Sequence, residues 1–382
     1  MEVSVVDRIS RVSAADWDAL AGDDNPFIEH AFLLALEDSG SATADTGWSP
    51  AHVLVHGDDG ALLAAAPLYL KDHSYGEYIF DWGWAEASHR ARIPYYPKLV
   101  NAVPFTPATG RRLLSGDQGA PNPELTRALV AGFHAVAEAT KAMSIHLLFT
   151  TEAERAQVSQ DHQFIPRTTQ QFHWNNDGYE SFEHYLSFFR SKDRKNTRRE
   201  RRRAQESVDT IRAVRGTDLT PRERDTIRAF YKDTTSRKWG QAYLTDEFFD
   251  ALTGTLAERT LAFLAEKDGE IVGSALTFQK GRHLYGRYWG GRPGFKDLHF
   301  EMCYYQPIQA CIDNGWTLFE AGAQGSHKLK RGLMPAPIHS AHWLRHPGLS
   351  DAVSRAMREE GEVVVQQLDA IAGHGPFRRD QG

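Results

Sequence analysis

At 382 residues, 41% hydrophobic and 25% charged, the chain has ordinary globular composition and exceeds one ordinary core, so two domains are expected. A formal net charge of −6 excludes polyanion binding over the whole surface, and two cysteines exclude a disulfide framework or a four-cysteine zinc site. The longest apolar stretch, residues 61–70, is far short of the ~20 residues that span a bilayer. The opening MEVSVVDRIS lacks the basic-then-apolar pattern of a secretory signal, so a cytoplasmic location is expected.

Helical patterns at 14–21 and 27–38 come first. Strand-like runs at 51–56 and 61–70 flank Asp58-Asp59-Gly60, a hairpin signal, and an aromatic run at 75–84 reads as a third strand. Pro94, Pro97, Pro104, Pro107, Pro121 and Pro123 then exclude a regular central strand or helix interior, so residues 93–123 read as a long ordered loop. A helix at 124–141 and a buried strand at 145–149 close this half. The second half, from residue 168, predicts a long helix at 178–206, a strand at 208–214, and helices at 221–237 and 245–258. Strands follow at 261–266 and 271–279 around Lys267-Asp268-Gly269, then at 283–290. A helix at 300–314, strands at 317–321 and 339–344, and a helix at 350–371 complete the chain. Alternating helix and strand predicts an α/β fold with domains at 1–167 and 168–382.

The halves read as copies. VLVHGDDGALLAAAPLYLKDHSYGEY resembles FLAEKDGEIVGSALTFQKGRHLYGRY, matching Asp59-Gly60 to Asp268-Gly269 and Tyr75-Gly76 to Tyr285-Gly286. Helices precede the hairpin in both, and a helix and an apolar strand follow it.

This order is that of the GNAT acyltransferases, and two such units in tandem look like the Fem-type aminoacyl transferases. Three segments sharpen the likeness. They are Tyr95-Tyr96-Pro97-Lys98 with Val103-Pro104-Phe105-Thr106-Pro107; Arg194-Lys195-Asn196 running into Arg198-Arg199-Glu200-Arg201; and Glu320-Ala321-Gly322-Ala323-Gln324-Gly325-Ser326-His327-Lys328 with Arg331-Gly332. Together they resemble a bacterial family of predicted N-acyltransferases labelled peptidoglycan biosynthesis/recognition, within the GNAT superfamily. The resemblance covers nearly the whole chain. It implies two tandem GNAT-like domains, no tightly bound cofactor, an amine-bearing acceptor, and an acyl donor (aminoacyl-tRNA or acyl-CoA) as co-substrate. Typical acetyl-CoA enzymes of this superfamily carry a Gln/Arg-x-x-Gly-x-Gly/Ala loop whose backbone N–H groups cradle pyrophosphate. Here that place reads Arg287-Tyr288-Trp289-Gly290-Gly291-Arg292-Pro293-Gly294, without the standard spacing, so the donor need not be acetyl-CoA.

Three constellations can carry chemistry. Between Arg190 and Arg203 stand nine Lys/Arg and two acids. Arg190, Arg194, Arg198 and Arg202 recur every four residues with Lys195 and Arg199 alongside, a stripe suited to the phosphates of tRNA, CoA or a lipid-linked precursor. The bland alternative is a solvated face. Second, Arg287 and Tyr288 lie on a strand, and Glu301, Tyr304, Tyr305 and Ile308 share a helix face. Glu301 is a candidate base, with Tyr304 or Tyr305 as proton donor to the leaving group; the alternative is a capping carboxylate and core tyrosines. Third, a strand end and glycine loop present His327, Lys328, Lys330 and Arg331, an anion or carboxyl site in which His327 is a second candidate base. Tyr95, Tyr96, Lys98 and Phe105 are expected to shape the acceptor side. His339 and His342 point to opposite faces of a strand, so no metal is expected. The rival to an enzyme is a non-catalytic module that binds a cell-wall precursor or RNA.

Overall fold

The computed structural model describes residues 1–115, 121–239, 242–322 and 325–378; Ala323 and Gln324 of the third constellation's loop lie outside these. The chain forms two compact units, residues 1–170 with 337–366 and residues 171–336 with 367–382. Among the described residues no helix is long and apolar enough to cross a membrane.

In the first unit Glu2–Val6, His52–His56 and Leu62–Ala66 form an antiparallel sheet. Pro67 has no N–H for a ladder, and the chain leaves this sheet there to resume as Tyr69–Lys71 in a second one. That strand runs antiparallel to Lys98–Asn101, which runs parallel to Ser144–Thr150, which pairs antiparallel with residues 339–344. The helix Pro123–Thr140 makes the parallel crossover. Asn122 caps its N–H groups, and Leu129, Phe133 and Val136 face a core that includes Val53, Leu99 and Ile145.

Residues 93–123, expected as loop, contain the strand Lys98–Asn101, because the prolines bracket it rather than interrupt it. The rest is held by buried polar groups. Glu154 accepts the backbone N–H groups of Arg112 and Leu113 at 2.8 and 2.7 Å, and the Arg112 guanidinium donates to the carbonyls of Leu148 and Ala108.

The run 75–84, expected as a strand, is a turn leading into the helix Trp82–Arg90. Gly76 and Tyr78 have φ of 80° and 63°, and Ser74, Glu77 and Asp81 turn inward onto Lys98. Burying that lysine decides the backbone against alternation. The first unit's counterpart of the second unit's strand His283–Gly291 is therefore Lys98–Asn101, not the Tyr75-Gly76 segment.

In the second unit one sheet runs, in order, Ile165–Asn175 (from Gln171), Leu318–Glu320, His283–Gly291, Glu270–Lys280, Thr260–Lys267 and Thr210–Arg215. Asp268 and Gly269 turn the hairpin with φ of 52° and 73°, the left-handed pair that a tight hairpin asks for. His283–Gly291 is antiparallel to its predecessor and parallel to Leu318–Glu320. The succession of antiparallel strand, helical crossover and parallel strand thus occurs in both units. The helix expected at 178–206 is two, Phe182–Ser187 and Ser191–Glu206. Between them Phe189 buries against Tyr185 and Phe377, and Arg190 is extended. The helix expected at 300–314 contains a π-turn, Glu301–Tyr305, followed by Gln306–Asp313 with Pro307 in its first turn. Proline cannot return a hydrogen bond to the preceding turn, and the wider turn accommodates the loss. Neither Cys303 nor Cys311 is in a disulfide, and burial pushes the Cys311 thiol up.

Glu154→Ala would strand the N–H groups of Arg112 and Leu113, at about 1–3 kcal/mol for each buried unsatisfied group. Urea unfolding of this variant is expected to show a loss of about 3 kcal/mol, with Glu154→Gln losing less.

Candidate functional site

A cavity of about 580 Å³ in the second unit is lined by Arg190, Lys192, Asp193, Asn196, Thr197, Glu200, Tyr305, His327, Lys330 and Arg331. The first and third constellations thus converge, and the second contributes Tyr305. The helix Ser191–Glu206 supplies its floor through residues at helical spacing. Thr197 and Ala204 are buried, and Asp193, Glu200 and Arg201 flank them on the inner face.

Apart from Arg190, the stripe expected to bind phosphate lies away from the cavity. Lys195, Arg198, Arg199 and Arg202 are exposed. Arg198 pairs with Glu183, Arg199 donates to Asn196 at 3.1 Å, and Arg194 reaches the Ser187 carbonyl at 3.4 Å. Periodicity located the charged face; which face meets the cavity was decided by the buried Thr197 and Ala204.

Glu301, offered as a base, has no exposed surface. Its carboxylate accepts from Arg201 at 3.3–3.4 Å, Gln205 at 2.9 Å and Gln306 at 2.7 Å, so it ties the basic helix to the π-turn and does not line the cavity. Arg201 also stacks on Phe182, 3.9 Å from the ring centre. An α-helix separates consecutive side chains by about 100°, and the wider π-turn by less, which brings the neighbouring Tyr304 and Tyr305 hydroxyls toward one side. Tyr305 donates to Glu200 at 2.6 Å, and the Tyr304 hydroxyl lies 2.8 Å from His327 Nε2. Burial pushes both phenols above their ordinary range, so both are protonated donors.

Arg331 organises the far wall. Its guanidinium donates to Glu200 at 2.9 Å and to the His327 carbonyl at 2.7 Å, and it covers the Phe300 ring at 3.4 Å. Gly325 has φ of 113°, and a Cβ there would run into the His327 imidazole. Gly332 is likewise required, since a Cβ would meet Tyr185, whose hydroxyl donates to the Arg331 carbonyl.

Beside this wall the parallel strands fork. They pair from His283↔Leu318 to Tyr285↔Glu320; then one ends while the other continues to Gly291. A bulge at the fork sets Arg287 out of register: Thr277 pairs with Gly286 and Leu276 with Tyr288. Arg287 donates to Tyr288, which packs on Tyr231. Lys328 lies buried at the strand end and donates to the Gly322 carbonyl at 2.5 Å; burial pulls its ammonium down to about 8. His173, also near this end, is pulled down by burial to about 4 and is neutral.

Of the residues expected on the acceptor side, Tyr95, Lys98 and Phe105 are interior groups of the first unit and Tyr96 is partly buried. Lys98 is fully buried and donates to Ser74, Glu77 and Asp81; Tyr95 donates to Asp81 at 2.6 Å, Tyr96 pairs with Ser74, and Phe105 packs on Trp48. Burial raises Glu77 to about 7, whereas Lys98 and His146 hold Asp81 low against the same burial. His342, set aside as a metal ligand, pairs ring to ring with His146 at 2.8 Å, and no described residues group as a metal site. Sequence reasoning anticipated Lys330 but missed Asp193, Asn196, Thr197 and Glu200 as cavity residues. The available signal was the pair of acids inside a basic run, which marks its inward face.

A family model described as FemAB-like, peptidoglycan biosynthesis/recognition, matches residues 8–379. The chain belongs to the FemAB-like family. No curated protein matches the sequence. Among solved structures this FemAB-like chain is similar to FemX, at 13% identity and a TM-score of 0.56 over 93% of this chain and 100% of that one. It is also similar to the C-terminal domain of a putative lysylphosphatidylglycerol synthetase from Agrobacterium fabrum, at 11% identity and 0.55 over 91% and 95%. A conserved protein of unknown function from Bacteroides thetaiotaomicron matches at 11% and 0.54 over 89% and 99%. At these identities the likeness is one of fold, a mixed α/β architecture.

Glu301→Ala would leave the Arg201 guanidinium unpaired beneath the cavity. Breaking a buried pair from one side costs about 3–5 kcal/mol, so urea unfolding is expected to show a loss near 3 kcal/mol, with Glu301→Gln retaining most of it.

Proposed function

We propose that this protein is an N-acyltransferase that moves an acyl or aminoacyl group from aminoacyl-tRNA or acyl-CoA onto the amine of a cell-wall precursor or small metabolite. The observation that carries this reading is the Tyr304–His327 hydrogen bond at a cation-lined cavity, one residue from a buried lysine at a strand fork. Both donors carry phosphates. Arg190, Lys192 and Lys330 give the cavity the charge to hold them, and the exposed Lys195, Arg198, Arg199 and Arg202 give a tRNA further phosphate contacts.

In this reading the acceptor nitrogen attacks the acyl carbonyl carbon. A carbon–nitrogen bond forms, and the carbon–oxygen or carbon–sulfur bond to the donor breaks. The nitrogen's proton passes by way of the Tyr304 hydroxyl to His327 and then to the departing alkoxide or thiolate. Lys328, as an ammonium at the fork, stabilises the carbonyl oxygen as it gains charge. Most of the acceleration comes from holding donor and acceptor together. No covalent enzyme intermediate is invoked, and Cys311 is buried in its protonated form.

Thermal melts with CoA thioesters, aminoacyl-tRNA and muropeptides separate the readings. A donor of either kind is expected to raise the melt, and His327→Ala to abolish transfer with the unliganded melt unchanged. A muropeptide shift without donor binding or turnover would instead make the protein a recognition module.

Transfer should also weaken as pH rises through about 8, where Lys328 loses its proton. Lys328→Arg keeps the charge and is expected to lack this alkaline limb. An identical limb in that variant would remove Lys328 from the mechanism.

A further inference from the structure

Two cations of the cavity are turned onto the chain's own C-terminal segment. Arg190, at the start of the basic helix, donates its guanidinium to the Gly375 carbonyl and, at 3.5 Å, to that of His374. Lys330, from the opposite wall, donates to the same His374 carbonyl at 3.0 Å. These carbonyls follow the end of the 26-residue helix Pro347–Ala372, where the helix dipole places partial negative charge. The segment is also seated by backbone. The Arg190 N–H donates to the Pro376 carbonyl at 2.7 Å, and the Arg378 N–H to the Phe188 carbonyl at 2.9 Å. Phe377 inserts between Tyr185 and Phe189, with ring centres 6.2 and 5.2 Å away.

Arg190 also pairs with Asp193 at 3.1 Å, but toward this segment both cations meet only neutral carbonyls and share that of His374, a poor match for two full positive charges. A phosphate offers each a charge-assisted bond roughly twice as strong as a neutral one. We propose that residues 374–378 form an anion-sensitive latch. An anionic group entering the cavity draws Arg190 and Lys330 off the His374 and Gly375 carbonyls, and the segment loosens. The coupling is reciprocal: whatever unseats the segment frees both cations and tightens anion binding. The inference rests on the cavity's being an anion site, as proposed above, and adds that the chain terminus competes for it.

The test uses the full-length chain and inorganic pyrophosphate as probe. Saturating pyrophosphate should speed hydrogen exchange at the Arg190 and Arg378 amides, and Phe377→Ala should bind pyrophosphate more tightly in calorimetry, each by about fivefold or more, the lower range of ordinary site-to-site coupling. Pyrophosphate binding that leaves both amides protected, with Phe377→Ala affinity unchanged, would overturn the latch while leaving the anion site standing. Binding by the Phe377→Ala protein alone would support a latch closed in the parent. Failure of both proteins to bind would overturn the latch and the anion site together.

Discussion

The site depends on one carboxylate that never meets solvent. Glu301 binds Arg201 and Gln205 of the basic helix on one side and Gln306 on the other, across the turn that is π rather than α. A buried ion pair is a weak source of net stability, because desolvating both charges offsets most of their attraction. Its strength is geometric: the pair is satisfied only when the basic helix, the π-turn and Pro307 take one arrangement. That arrangement directs Tyr304 to His327 and Tyr305 to Glu200.

The cavity's charges are set against one another in the same way. Arg331 is held by Glu200 and a carbonyl while shielding Phe300, and Arg190 is shared between Asp193 and the C-terminal carbonyls. The cations are thus pre-positioned rather than free. Pre-positioned dipoles and charges reorganise little when a ligand arrives, which is the condition under which electrostatics assists a reaction. The first unit contains a comparable polar knot around Lys98, enclosed by its core. There the same residue types fasten a turn.

Much of the fold was legible in the sequence. The hairpin at Asp268-Gly269, the helix before Ser144–Thr150 and the closing helix follow from turn chemistry and periodicity, which are local. The failures were also physical. Residues 75–84 alternate like a strand, but Lys98, distant in sequence, draws Ser74, Glu77 and Asp81 inward. The helical pattern at 178–206 continues through Phe188–Arg190, but Phe189 is claimed by Phe377, far along the chain. Local pattern cannot register a partner outside its own window, whether about twenty residues away, as Lys98 is, or far along the chain, as Phe377 is.

The same division runs through the site. The sequence by itself determined the α/β class, the basic run, the adjacent tyrosines and the glycine-flanked His327-Lys328 pair, because composition, period and spacing are properties of neighbouring residues. Only the tertiary structure decided which side of the basic helix is inside, and that Glu301 is an anchor while His327 meets Tyr304. It also decided that Tyr95, Lys98 and Phe105 are buried, with Tyr96 partly so. A charged side chain's role depends on which opposite charge reaches it after burial, and that partner is chosen by packing between elements remote in sequence.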